Sequence, residues 1–114
     1  MSTIVINNKT YTVPELNFRH AKQLEQFGVP LIRMNDLNLM FTIVSAFVSI
    51  VVGCDSDYAD YLIEQHILSG GNIEDIYKAY IDAIAESHFF KKLLENQEKK
   101  VAKKTVSKTA NQTE

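Results

Sequence analysis

From Leu37 to Cys54 the chain runs for 18 residues without a charge. A stretch of that kind has to leave water, either in a bilayer or in a protein interior. As a helix it spans about 27 Å, short of the ~30 Å hydrocarbon core of a membrane. Its flanks are also wrong for a span. Asp36 precedes it, Asp55, Asp57 and Asp60 follow it, and the nearest cation is Arg33. Juxtamembrane ends normally carry basic residues on one side. Asn38, Thr42, Ser45 and Ser49 recur at spacings of four, three and four, which draws a thin polar stripe along one side. The pattern predicts a central core helix over Leu37–Val52, covered on most sides and ended by Gly53.

The other elements arrange themselves around this helix. Thr3–Ile6 and Thr10–Val13 are β-rich runs separated by Asn7-Asn8-Lys9, and asparagine tolerates the left-handed backbone of a tight turn. A lone hairpin is marginal in water, so it must pack on the body. A first helix is expected from about Pro14 or Asn17 to Phe27, with Phe18, Ala21, Leu24 and Phe27 inward and Gly28 and Pro30 as its stop. Val29–Met34 is an apolar connector pressed against the body. A third helix covers Asp55–Ser69, opened by Asp57 with Asp60 three residues on, and Gly70-Gly71 end it. Asn72 caps a fourth, whose Ile73, Ile76, Tyr77, Tyr80 and Ile84 continue without a break into Phe89, Phe90, Leu93 and Leu94. The fold class is therefore α+β, mainly α: an N-terminal β-hairpin packed on a four-helix body, residues 1–98 as one domain. Residues 99–114 hold too little apolar surface to offset the entropy of ordering them and are expected to form a disordered basic tail.

Charge follows the same division. Residues 1–90 carry five basic and eleven acidic groups, and residues 91–114 carry seven lysines and three glutamates. An acidic body repels a polyanion, which leaves the tail as the one element that could meet nucleic acid. No aromatic interleaves its lysines, so a base-stacking platform is absent. The single cysteine, Cys54, has no partner for an internal disulfide, as in a reducing compartment.

Catalytic and metal-binding signatures are missing. Asp55–Asp60 has the acidic look of a calcium loop, but Ala59, Asp60 and His66 stand where an EF-hand needs an oxygen ligand, a glycine and a glutamate. His20, His66 and His88 stand singly, without a second ligand at metal spacing. There is no Gly-rich phosphate loop and no Ser-His-Asp or H-E-x-x-H pattern. We expect no enzyme, no cofactor and no metal.

The more telling feature is a surplus of apolar groups for so short a chain. Phe89, Phe90, Leu93 and Leu94 lie on the late part of the last helix, while Leu31, Ile32 and Met34 lie in a connector. Two readings stand side by side. Either these groups close the core, or they form a protein-binding surface for apolar helices of a partner or a second copy.

Several strings, taken in order, have the character of a known family. They are Ile6-Asn7-Asn8-Lys9-Thr10-Tyr11, Pro14-Glu15-Leu16-Asn17-Phe18-Arg19, and Leu24-Glu25 before Phe27-Gly28. Downstream come Glu64-Gln65-His66-Ile67 before Ser69-Gly70-Gly71-Asn72-Ile73-Glu74, and finally Glu86-Ser87-His88-Phe89-Phe90. Over residues 4–98 the chain resembles the tail assembly chaperones of long, non-contractile-tailed phages and prophages of Gram-positive bacteria. It departs from the pattern at Asn8, where a glycine is expected, and in the strongly apolar Leu37–Val52 helix.

The resemblance implies a non-catalytic protein of the host cytoplasm, absent from the mature virion. Its partner would be the tape measure protein, which it keeps soluble while tail tube subunits are recruited. The major tail tube protein, a frameshifted longer form of the chain and a second copy are further expected partners; nucleic acid and membrane are not. On this reading Phe89, Phe90, Leu93 and Leu94, with Leu31 and Met34, make the partner contacts. Charge substitution at Phe90 or Leu94 is then expected to abolish binding and leave the helix content intact. Two alternatives are a small cytoplasmic regulator whose lysine tail touches nucleic acid, and a small phage membrane protein.

Overall fold

Asn7 and Asn8 both adopt positive φ, 51° and 67°. Left-handed backbone at both central positions is what a two-residue turn between twisted strands requires. It joins β1 (Ser2–Ile6) to β2 (Lys9–Val13) as an antiparallel pair with Ile4 opposite Tyr11 and Ile6 opposite Lys9. The two-residue period puts Ile4, Ile6 and Val13 into the core. This computed structural model describes residues 2–96; the expected disordered tail, 99–114, lies outside them.

Beyond the hairpin the chain is helical. Asn17 opens α1 (Phe18–Gln26): its Oδ1 accepts from the Arg19 amide at 3.0 Å, and its own amide donates to His20 Nδ1 at 3.0 Å. The first of the three lone histidines is thus half of a reciprocal cap. The Val29–Met34 connector splits its apolar side chains. Val29 and Met34 are buried, Leu31 is half-buried, and Ile32 stands 90% exposed.

The central helix begins later than expected. Leu37–Leu39 forms a 3-10 turn capped by Asp36, whose Oδ1 accepts from the Asn38 amide at 2.9 Å. The regular helix α2 then covers Met40–Val52. Its Ile43, Val44, Ala46, Phe47, Val48 and Ser49 are buried, and it packs on α1, β2 and the two following helices. Those helices are α3 (Ser56–Leu68) and α4 (Ile73–Glu86). No single helix among the described residues is long and apolar enough to cross a membrane, and the chain turns through 106° between the central helix and α3.

The cap of α3 is Asp55 rather than Asp57: Asp55 Oδ1 accepts from the Tyr58 amide at 2.9 Å. Asp60 is engaged elsewhere, accepting from the Ser45 hydroxyl at 2.6 Å. Part of the polar stripe on α2 is thereby explained. Asn72 caps α4 as expected, with Oδ1 accepting from the Asp75 amide at 2.9 Å. Two polar contacts then tie the layers together. The Tyr80 hydroxyl donates to the Met34 carbonyl at 2.7 Å, and burial pushes that phenol well above its ordinary range. The Asn7 amide donates to His66 Nδ1 at 2.9 Å, which fastens the hairpin turn to α3.

His66 is buried and its ring lies directly on Gly71, where a Cβ would sit 2.4 Å from Nε2. Gly71 is required for space. We expect Gly71→Ala to destabilise by roughly 1–3 kcal/mol in urea denaturation, as overpacking does. In a His66→Ala background the same substitution should cost almost nothing. Equal costs in the two backgrounds would mean that the ring moves aside freely.

The largest departure from the expected fold is at Ser87. The last helix is not continuous. Ser87 leaves helical geometry (φ −78°, ψ 124°), and a fifth helix, α5, covers residues 88–96. Ser87 is fully buried. Its Oγ accepts from the Phe90 amide at 3.1 Å and donates to the Leu16 carbonyl at 2.6 Å. It is the C-cap of α4 and the N-cap of α5 at once. Neighbouring groups hold the same corner to the N-terminal segment. Ser2 Oγ donates to Glu86 Oε1 at 3.1 Å, and His88 Nδ1 lies 3.1 Å from Glu15 Oε2. Hydrogen bonds from His88 hold the Glu15 carboxyl below its usual range.

Candidate functional site

The bend at Ser87 lays α5 beside α1, and between them an apolar groove opens. Its volume is about 420 Å³, within the range of ligand-sized sites. The floor is made of buried side chains: Leu24 from α1, Val29 and Met34 from the connector, and Phe90 from α5. The walls are only partly covered and consist of Phe18 and Ala21 on one side, Phe89 and Leu93 on the other, and Leu31 at one end. Phe18 and Phe89 face each other edge to face, with ring centroids 6.1 Å apart, and Phe89 meets Phe90 in the same way at 5.2 Å. Aromatic pairs of this geometry hold their rings in place beyond what area burial supplies.

Five of the six residues singled out from the sequence border this groove: Leu31, Met34, Phe89, Phe90 and Leu93. They do not play one role. Phe90 is fully buried and Met34 nearly so, which corrects the expectation that they contact a partner directly. They are core side chains that shape the floor. Leu94 lies on the other side of α5. There, with Met34, Tyr80, Ile81 and Ile84, it borders a second hollow of about 250 Å³. Leu94 is 38% exposed, so α5 presents apolar groups on both of its flanks.

Some surface features were missed in the sequence. Phe18 was expected to point inward with Leu24 but is 63% exposed at the lip of the groove. The same i, i+3 stripe that announced the helix contained it, and only its place at the first turn distinguishes it. A second exposed apolar set consists of Ile32, Leu37 and Phe41, with Phe41 77% exposed. On α3, Tyr58 and Tyr61 stack on each other at 6.1 Å, both half exposed.

The titratable groups are scattered among separate structural tasks. His20 caps α1, His66 holds the hairpin turn, and His88 pairs with Glu15. Among the described residues no group of three or more His, Cys, Asp or Glu is placed to hold a metal ion. Burial and the adjacent Asp55 push the Cys54 thiol up, which keeps it protonated and weakly nucleophilic. The arrangement offers apolar binding area, with Lys22 and Glu25 as polar groups at its edge.

Comparison of the chain with protein families, with curated proteins and with solved structures gives no match.

Proposed function

We propose that this chain is a phage tail assembly chaperone, and that the groove between α1 and α5 receives apolar helical segments of the tape measure protein. Two independent lines support the reading. The ordered strings from Ile6 to Phe90 have the spacing of that family. The groove carries the proposal: a half-open apolar channel in which five of the sequence-selected residues meet. A helix-in-groove complex needs such a floor of fixed side chains with adjustable walls. A tape measure protein exposes apolar helix faces until the tail tube encloses it. Many copies of a small binder can shield those faces by mass action and avidity. The role requires no catalytic group.

The test is co-expression with the tape measure protein of the same phage. The expected result is that this chain, alone or with its longer form, keeps that protein soluble and co-purifies with it. Phe89→Asp and Leu93→Asp should retain the wild-type circular dichroism spectrum and lose at least tenfold in complex formation. That loss is the penalty for placing a charge in an apolar contact. Failure of the wild-type chain to rescue solubility, in both short and extended forms, overturns the proposal. Wild-type binding by both variants moves the site away from the groove.

A further inference from the structure

Charge is sorted across this molecule in a way that composition conceals. The three segments that build the groove are α1, the Leu31–Asp36 stretch and α5. They carry five cations (Arg19, Lys22, Arg33, Lys91 and Lys92) against three carboxylates (Glu25, Asp36 and Glu95). The rest of the described chain carries two cations, Lys9 and Lys78, against nine carboxylates. An acidic body thus holds its apolar groove in a basic frame.

Internal pairing does not cancel the frame. Arg33 is bound to Asp36 at 2.7 Å, and Lys92 lies 3.8 Å from Glu95. Among the described residues Arg19, Lys22 and Lys91 make no ion pair. Lys22 lines the groove and Lys91 lines the hollow on the opposite side of α5. The sequence runs on from the end of α5 with five more lysines and two glutamates over residues 97–114.

We infer that the groove takes an amphipathic helix whose apolar stripe is flanked by carboxylates. The inference rests on the groove being the partner site proposed above and specifies the chemistry of what enters it. The apolar walls, Phe18, Leu31, Phe89 and Leu93, take the stripe. Lys22 and Lys91, on either side of α5, meet the acidic flanks, and Arg19 adds to the same field. Nucleic acid fits less well, because the lining has no place for phosphate and the acidic remainder of the body repels it. The arrangement also selects against the protein's own kind of surface. A basic-flanked helix, including a second copy's α5, is repelled by the same frame.

The experiment uses the full chain and two synthetic helical peptides. Both have leucines at i, i+3, i+4 and i+7; one carries glutamates beside the stripe and the other lysines. The expected result is that the glutamate peptide binds about tenfold more tightly at low salt, from several exposed ion pairs of modest strength each, and that the gap narrows at 0.5 M salt. The double variant Lys22→Glu, Lys91→Glu should reverse the preference while leaving the fold unchanged. Equal binding of both peptides overturns the inference and leaves the chaperone reading standing. So does binding of the tape measure protein when neither peptide binds. Preferential binding of duplex DNA or of anionic lipid vesicles, insensitive to Phe89→Asp, overturns it as well.

Discussion

Phe90→Asp is expected to unfold the chain. Phe90 is fully buried beneath the groove, edge-on to Phe89, so truncation to alanine alone should cost roughly 3–5 kcal/mol. A carboxylate in that place adds the cost of an unpaired buried charge. A small domain has only about 5–15 kcal/mol to lose. Far-UV circular dichroism of Phe90→Asp should therefore show helix loss at 25 °C. Phe89→Asp, one residue earlier and partly exposed, should keep its spectrum and lose partner binding. This reverses what the sequence suggested for Phe90, where a charge was expected to spare the helix content. A folded Phe90→Asp protein would mean that α5 can detach from the body without loss of the core.

Ser87→Ala should produce the next largest effect from a change of one atom. Its hydroxyl serves two buried backbone groups, the Phe90 amide at 3.1 Å and the Leu16 carbonyl at 2.6 Å. Loss of the cap costs about 1 kcal/mol, and a buried carbonyl deprived of its partner costs about 1–3 kcal/mol more. The sum, roughly 2–4 kcal/mol, corresponds to a fall in melting temperature on the order of 10–20 °C for a domain of this size. Affinity for the partner should fall in parallel, because α5 is a wall of the groove and Ser87 sets its direction. A melting temperature within about 2 °C of wild type would show that packing of Phe90, rather than the hydroxyl, makes the bend.

The sequence was most informative where the controlling interaction is local. The Asn7-Asn8 turn, the Asn17 and Asn72 caps and the stop signals at Gly28, Gly53 and Gly70 lie within a few residues of what they control. Even there, neighbouring candidates competed. Asp55 rather than Asp57 caps α3, because Asp60 is drawn to Ser45 on another helix. The long uncharged run was correctly read as a core helix. Its first three residues were not, since the Asp36 cap starts a 3-10 turn before the regular helix begins.

The candidate site was legible as a set of residues and illegible as a shape. Leu31, Met34, Phe89, Phe90 and Leu93 stood out because a chain of 114 residues has more apolar groups there than its other helices can cover. Which of them face inward was decided elsewhere. Phe89 and Phe90 are adjacent on a helix and so point about 100° apart. The choice between floor and wall depends on how α5 is rotated, and that rotation is held by a hydrogen bond from Ser87 to a carbonyl 71 positions away in the chain. Local pattern thus determined the hairpin, the helices and the apolar surplus, since each arises from backbone and side-chain preferences within a turn or two. Only the tertiary structure decided the bend, the groove and its basic frame, because all three are set by contacts between segments that are distant in sequence.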